Sequence, residues 1–465
     1  MFRAFHHRAY AAVLLDAGMD ALLGFLAVLI AAWTISAVPM SEFGQTLSNP
    51  SVMLAASGFA VCMAMLQSFL GLYRQAGLSF ASQLARLLVA MSIGGYLTYL
   101  VLKEVGFDGH PSRLVGYSVA NLIFAILVVR GTIVLVRAAQ GSSRVLIVGT
   151  GPEAVSVAND LRRSSRVSGE VIGFYPTPAV APDQNIDGKL LLDARVPLER
   201  LARELEIDSI IVATREQRGG AMPMDQLVIC RSMGIPVMDL AGFYERTHAE
   251  VPLDSLKASW LVYGPGFVQG RVRQALKRGF DIVTSSILLV LALPVMIIAA
   301  VAIKLDSRGP LIYRQERVGL GGRSFMCLKF RSMCTDAERD GVARWATKND
   351  ARVTRVGRII RKARIDELPQ LFSVLKGEMS IVGPRPERPS FVKELQSKVA
   401  FYDLRHTVKP GVTGWAQVRY CYGASVEDAR RKHQFDLYYI KNNSLLLDIV
   451  ILIETVSVVL FGEGQ

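Results

Sequence analysis

The chain has 465 residues, 51 % hydrophobic and 20 % charged. That excludes an intrinsically disordered protein, and the length allows roughly three domains at about 150 residues each. The formal net charge is +13, and 32 Lys and Arg against 19 Asp and Glu fall after residue 270, so the basic C-terminal part calls for an anionic partner.

Four apolar runs open the chain, at Tyr10–Val38, Val52–Tyr73, Leu87–Val105 and Leu114–Val136. Each has about 19 residues or more, enough to cross a hydrocarbon core about 30 Å thick as a helix. The first has no small-residue cleavage site after a short apolar core and reads as a retained span, not a signal peptide. Arg3 and Arg8 precede the first run, Arg74 and Arg86 separate the second from the third, and Arg137 and Arg144 follow the fourth. The loop around Glu42 has no basic residue, so the positive-inside rule puts the N-terminus and everything after Arg144 in the cytoplasm. Asp16 and Asp20 share one face of the first run at a depth similar to Arg130 in the fourth, which predicts an Asp–Arg contact between those helices.

Residues 144–151, Arg-Val-Leu-Ile-Val-Gly-Thr-Gly, read as a buried strand entering a glycine turn, and with Ala154 they make G-x-G-x-x-A ahead of a helix at Val155–Arg163. Strands at Val171–Tyr175, Ser209–Ala213 and Ile235–Leu240 follow, with a helix between the last two. This alternation predicts a Rossmann-like α/β domain over 141–264, after a four-helix transmembrane domain over 1–140. A ribose-reading acid belongs at the end of the second strand. That strand ends Phe174-Tyr175-Pro176, with Glu170 at its other end, so a packing or regulatory domain is expected.

A fifth apolar run, Ile282–Leu305, is flanked by Lys277 and Arg278 on one side and by Lys304, Arg308, Arg314 and Arg317 on the other. A crossing with basic residues at both ends violates the positive-inside rule. Pro294 at its centre kinks or breaks a helix. Together these predict a re-entrant membrane hairpin at about 280–305 in a mostly helical domain over 265–465. The last run, Leu445–Phe461, carries Asp448 and Glu454 and reads as an interfacial or buried helix. Cys62, Cys230, Cys327, Cys334 and Cys421 form no C-x-x-C pair, which argues against a zinc ribbon or a disulfide scaffold.

The chemistry concentrates between Asp350 and Pro386. Arg352, Arg355, Arg358, Arg361 and Arg364 recur every three residues, with Lys362 added, as a cationic stripe on a helix would. Few aromatics interleave with it, so lipid or substrate phosphate is expected there, not nucleic acid. Asp366-Glu367 then stands at a helix start marked by Pro369, and Gly383-Pro384-Arg385-Pro386 follows. One reading makes Asp366 an N-cap. The other has two carboxylates beside several cations holding Mg²⁺ and delivering one carboxylate to phosphorus, with Arg385 gripping phosphate oxygens.

Residues 271–465 resemble the bacterial sugar transferase family, the polyprenyl-phosphate hexose-1-phosphate transferases. The resemblance rests on six ordered blocks: Lys277-Arg278-Gly279-Phe280-Asp281, Gly309-Pro310 with Gln315-Glu316-Arg317-Val318-Gly319, Lys329-Phe330-Arg331-Ser332-Met333, Asp366-Glu367-Leu368-Pro369-Gln370-Leu371, Gly377 to Pro386, and Lys409 to Gln417. The four spans and Rossmann-like domain resemble its large members. The resemblance implies transfer of hexose 1-phosphate from a UDP-hexose, glucose above all, to undecaprenyl phosphate, with UMP leaving and Asp366 forming a covalent phosphosugar. It implies catalytic and Mg²⁺-holding roles for Asp366 and Glu367. It also implies substrate contacts from Gln315, Arg317, Lys329, Arg331, Arg361, Arg364, Arg385, Lys409 and Gln417. The implied setting is the bacterial inner membrane with a cytoplasmic catalytic domain on anionic lipid, a homodimer being open, in exopolysaccharide, capsule or O-antigen synthesis. A membrane-anchored NAD-dependent dehydratase or epimerase would need Tyr-x-x-x-Lys downstream of the glycine turn, yet that spacing occurs only at Tyr99–Lys103. A non-enzymatic assembly scaffold would leave the acid pair and Pro384-Arg385-Pro386 unexplained.

Overall fold

Asn49 starts the second apolar helix as an N-cap accepting from Ser51 N at 3.0 Å, with Pro50 pre-set for the first turn. The computed structural model of the protein describes residues 8–36, 44, 48–70, 72, 80–105, 110–139, 142–163, 169–178, 182–214, 222–256, 261, 266–267, 270–335, 350, 352–420, 423 and 425–461. Arg3, Arg74, Cys421 and the expected boundary at 264/265 lie outside the described residues. The chain divides into two compact units, Met1–His248 and Ala249–Gln465.

The first unit begins with α1 (Arg8–Ser36), α2 (Pro50–Phe69), α3 (Phe80–Glu104) and α4 (Pro111–Ala139). Ala27, Ala31, Ala56, Phe59, Met63, Leu122 and Ile126 pack inward, while Leu26, Ile30, Met65, Phe124 and Leu127 stay exposed. Helices apolar on both faces suit a bundle with lipid outside. The predicted Asp–Arg contact is present, Arg130 to Asp20 at 3.2 Å, with Asp20 buried. Tyr99 packs against this helical core, so the one Tyr-x-x-x-Lys spacing belongs to α3 and not to the strand ends of an oxidoreductase.

The same unit continues with β1 (Ser143–Val148), α5 (Pro152–Arg163), β2 (Gly169–Tyr175), α6 (Leu198–Glu204), β3 (Ser209–Val212), α7 (Met224–Ser232), β4 (Val237–Asp239) and α8 (Leu240–Thr247). The strands form one parallel sheet in the order β2-β1-β3-β4. Alternation sends Val145 and Ile147 to the face covered by α5 and α8, and Leu146 and Val148 to the face covered by α6 and α7. Gly149 ends β1 at φ +119°, where a Cβ would stand 2.7 Å from Thr214 Cγ2.

In the second unit, α9 (Arg271–Asp306) is followed by the antiparallel hairpin β5 (Ile312–Val318) and β6 (Ser324–Phe330). Then come α10 (Arg355–Lys362), α11 (Gln370–Lys376), β7 (Ser380–Val382), α12 (Pro389–Lys398), β8 (Gly411–Thr413), α13 (Trp415–Arg419), α14 (Val426–Asn442) and α15 (Leu445–Phe461). Residues 249–251 belong here: Trp415 Nε1 donates to Ala249 O at 2.8 Å, Arg431 meets Glu250 at 2.8 Å, and Val251 N donates to Gln434 O at 3.1 Å.

Among the described residues five helices are long and apolar enough to cross a membrane: α1 to α4 and α9. The helix does not break at Pro294, because α9 runs through it as one 36-residue element. Both ends of α9 are tied to the same unit. Arg278 donates to Val374 O and Leu375 O at 2.6 Å, and Asp281 accepts from Ser380 Oγ at 3.0 Å. At the other end Asp306 accepts from Val356 N at 3.1 Å, and Met296 and Ile303 pack on Phe330 and Ile360. Between these ties Val290, Leu291 and Ile298 are exposed. In α15 the acids face inward: Asp448 meets Lys277 at 2.9 Å and Glu454 meets Arg419 at 2.7 Å, while Leu446 and Ile449 face outward.

Candidate active site

The acid pair sits in a single 3₁₀ turn, Ile365–Glu367, between α10 and α11. Arg364 enters it with φ +56°, in the left-handed region, which ends the run from α10 and turns the chain inward. Asp366 and Glu367 are 8 % and 7 % exposed. The N-cap position of α11 belongs to Pro369, with no side-chain capping bond, so Asp366 is not spent on a cap.

Cations converge on Glu367. Lys329 Nζ and Arg385 Nη2 each lie 2.8 Å from its Oε1, and Arg364 Nη1 is 3.9 Å from its Oε2. Burial alone would raise this carboxyl, but Arg385, Lys329 and Arg364 outweigh it and hold it well below its usual range. Asp366 goes the other way: burial, then the charge of Glu367, raises it against the pull of Lys329, Arg361 and Arg364. Among the described residues no hydrogen bond or ion pair ties the Asp366 carboxylate. The pair thus combines an anion locked by cations with a neighbour left open for reaction.

The β5–β6 hairpin supplies Lys329, which stands opposite Tyr313 and shares its face with Gln315 and Arg317. Gln315 Oε1 accepts from Arg317 Nε at 3.0 Å, and Arg317 Nη1 donates to Pro386 O at 2.9 Å. These two residues therefore brace the loop that carries Arg385. That loop also depends on missing side chains. A Cβ on Gly383 would lie 2.3 Å from Lys409 O, and one on Gly414 would lie 2.2 Å from Gly383 O. The Gly383-Pro384-Arg385-Pro386 block interlocks with the block from Lys409 to Gln417 through bare backbone.

Of the residues named from sequence, the structure gathers Asp366, Glu367, Lys329, Arg364 and Arg385, with the Arg361 charge acting on Asp366. Three others have different contacts. Arg331 is buried and donates to Ser307 O at 2.6 Å, sealing the C-terminus of α9. Lys409 is lowered by burial and then by Arg278, with Asp281 and Lys277 also acting on it, beside the start of α9. Gln417 donates to Val412 O at 3.4 Å. The cationic stripe is shorter than its spacing implied: Thr354 caps α10, Arg352 precedes it and pairs with Asp350 at 2.6 Å, and Arg364 lies beyond its end.

Sequence reading also passed over Arg405, whose Nη2 donates to Arg385 O at 2.8 Å, and it gave Arg278 no role beyond topology. The signal for Arg278 was its place in the Lys277-Arg278 block. Arg405 had only its nearness to Lys409-Pro410-Gly411.

The sequence profile described as bacterial sugar transferase matches residues 272–462, a stretch that takes in every residue of this site. An undecaprenyl-phosphate glucose phosphotransferase of Komagataeibacter xylinus is 33 % identical over 401 residues, covering 82 % of the chain and 72 % of that protein. The chain belongs to the bacterial sugar transferase family. Other members resembling it differ in the sugar they are named for. A UDP-N-acetylgalactosamine-undecaprenyl-phosphate N-acetylgalactosaminephosphotransferase of Aeromonas hydrophila is 45 % identical over 238 residues, 51 % of the chain and about half, 55 %, of that protein. A UDP-galactose-lipid carrier transferase of Erwinia amylovora is 42 % identical over 342 residues, 69 % of the chain and 68 % of that protein.

Proposed function

We propose that this sugar transferase moves hexose 1-phosphate from a UDP-hexose to undecaprenyl phosphate in two displacements at phosphorus. The observation that carries the reading is the inequality of the acid pair: Glu367 is held by Lys329 and Arg385 at 2.8 Å, while Asp366 is buried beside it and, among the described residues, untied. A carboxylate free of hydrogen-bond donors keeps its lone pairs for attack. Asp366 attacks the sugar-bearing phosphorus, the bond to the UMP oxygen breaks, and an aspartyl phosphosugar remains. An oxygen of undecaprenyl phosphate then attacks that phosphorus and releases the carboxylate. Arg385 and Lys329 are placed to hold oxygens of the transferring phosphate. The relative aligned over 82 % of the chain is named for glucose, which makes UDP-glucose the first donor to test.

Among the described residues no group of three or more His, Cys, Asp or Glu converges. Mg²⁺ fits nonetheless, because it is commonly held by one or two carboxylates together with substrate phosphates, and Asp366 and Glu367 are adjacent. Bound there it would neutralise the donor diphosphate and the departing UMP.

Charges and ties support the membrane placement. Basic residues flank α9 on both sides, and both of its ends are fastened to the catalytic unit. A helix so held, kinked at Pro294 without losing its helical continuity, enters the cytoplasmic leaflet of the inner membrane and returns, and α1 to α4 span it. The exposed apolar middle of α9 then gives the polyprenyl chain a route to Asp366.

The deciding experiment is UMP release from a panel of UDP-sugars by the purified chain in detergent, with and without undecaprenyl phosphate. Release dependent on the lipid phosphate is expected. No release with any UDP-sugar would refute the reading.

A further inference from the structure

The loop Arg385-Pro386-Glu387 presents three consecutive backbone carbonyls, and each receives its own donor. Arg405 Nη2 donates to Arg385 O at 2.8 Å, Arg317 Nη1 to Pro386 O at 2.9 Å, and Val318 N to Glu387 O at 2.9 Å. Three successive peptide planes are thereby fixed in a segment outside the strands. The donors come from two separate elements, β5 and the 3₁₀ turn Tyr402–Thr407.

Arg405 is itself held from several sides. It is 7 % exposed, its Nη2 lies 3.2 Å from Asp436 Oδ2, and its Nη1 donates to the Tyr402 hydroxyl. Its guanidinium lies over the Tyr402 ring at 4.8 Å, and that ring stands 5.2 Å from the ring of His433. A planar guanidinium can serve a carboxylate, a hydroxyl and a carbonyl in three directions at once, whereas a lysine ammonium on a flexible stem cannot reproduce that fork. Buried and paired in this way, Arg405 is not a phosphate ligand. Its contact with the site is the Arg385 carbonyl.

We propose that Arg405 is a positioning residue for Arg385. Asp436 and Tyr402 fix Arg405, Arg405 fixes the Arg385 peptide, and that peptide sets the guanidinium 2.8 Å from Glu367. The kinetic consequence rests on the transferase reading above, and the geometric one does not. Displacing a catalytic group by about 1 Å can lower turnover about 100-fold.

Two mutant cycles on the full chain in detergent test this. In the first, Arg385→Gln and Glu367→Gln are made singly and together, in wild type and in Arg405→Gln, and apparent melting temperatures are measured. The two changes remove one ion pair, so in wild type their effects are expected not to add. In the Arg405→Gln background they are expected to add, because the guanidinium no longer seats on Glu367. A merely structural Arg405 would lower every melting temperature and leave the coupling intact, and unchanged coupling overturns the proposal. If Arg405→Gln fails to fold, Tyr402→Phe loosens the same guanidinium more gently, with partial loss of coupling expected. In the second cycle, Arg405→Lys lowers kcat about 10- to 100-fold, and combining it with Arg385→Gln lowers kcat no further than Arg385→Gln alone. A multiplicative loss overturns the proposal. A wild-type chain that releases no UMP refutes the transferase reading and leaves the melting cycle to decide on Arg405.

Discussion

Arg385 reaches Glu367 at 2.8 Å and, with Lys329, makes two adjacent acids chemically unequal. Asp366→Asn keeps the shape of the turn and removes the nucleophile, so turnover should fall at least about 1000-fold. Glu367→Gln leaves the nucleophile but frees Lys329 and Arg385 from their anion, and a smaller loss of about 10- to 100-fold is expected. Mass spectrometry of enzyme incubated with UDP-sugar alone should find a phosphosugar adduct on wild type and none on Asp366→Asn. Near-normal turnover by the asparagine variant would remove Asp366 from this role.

Topology gives the second prediction. Single cysteines at positions 277 and 308 should both resist an impermeant thiol reagent in intact spheroplasts and both react after lysis. Labelling at 308 from outside would make α9 a true crossing and carry Asp366 away from the cytoplasmic face.

The third concerns where the catalytic part begins. Ala249, Glu250 and Val251 bond to Trp415, Arg431 and Gln434. Residues 265–465 expressed alone should keep Mg²⁺-dependent activity, and residues 249–465 should melt several degrees higher because those bonds are restored. Equal melting temperatures would show that 249–251 contribute nothing. Folded but inactive fragments would assign catalysis in part to the first unit.

Acidification supplies the fourth. Burial, then Arg405, pushes His433 down to about 3, and the same two causes push His406 down to about 4. Below about pH 6.5 the unfolded chain binds protons that these folded imidazoles refuse, so stability present above that pH is lost as pH falls. Asp436, raised to about 6 chiefly by burial, binds its proton more readily when folded and gains stability between about pH 6 and 4. Asp366, raised as well, adds to that gain, but both histidines are shifted across the whole interval from about pH 6.5 to 5 and the loss prevails. The apparent melting temperature should fall from pH 7 to pH 5, with a shallower slope in His433→Gln. A flat or rising curve would contradict it.

The dyad, Lys329 and Arg385 were legible because short blocks carry them, Arg364 because it ends the row of arginines, and the chemistry of phosphate needs those side chains. Direction was not legible. Strand alternation would put Arg331 beside Lys329, but β6 ends at Phe330, and the guanidinium turns instead to Ser307 at the end of α9. A row of arginines every third residue looked like one helix, yet the cap at Thr354 and the left-handed Arg364 cut it short at both ends. Arg405 stayed hidden because its meaning lies in contacts with Arg385 and Asp436, far away in the chain. Pro294 announces a kink or a break, and sequence does not choose between them; α9 is clamped at both ends by its own unit and stays one helix through the proline.

Leu445–Phe461 wears its carboxylates inside and its leucine and isoleucine side chains outside. Proteins held to a membrane by charge come off in high salt or alkaline carbonate, but such washes act on neither Leu446 nor Ile449, nor on the bare middle of α9. Stripped of its four N-terminal helices, the catalytic unit should still sediment with the vesicles and require detergent to release it.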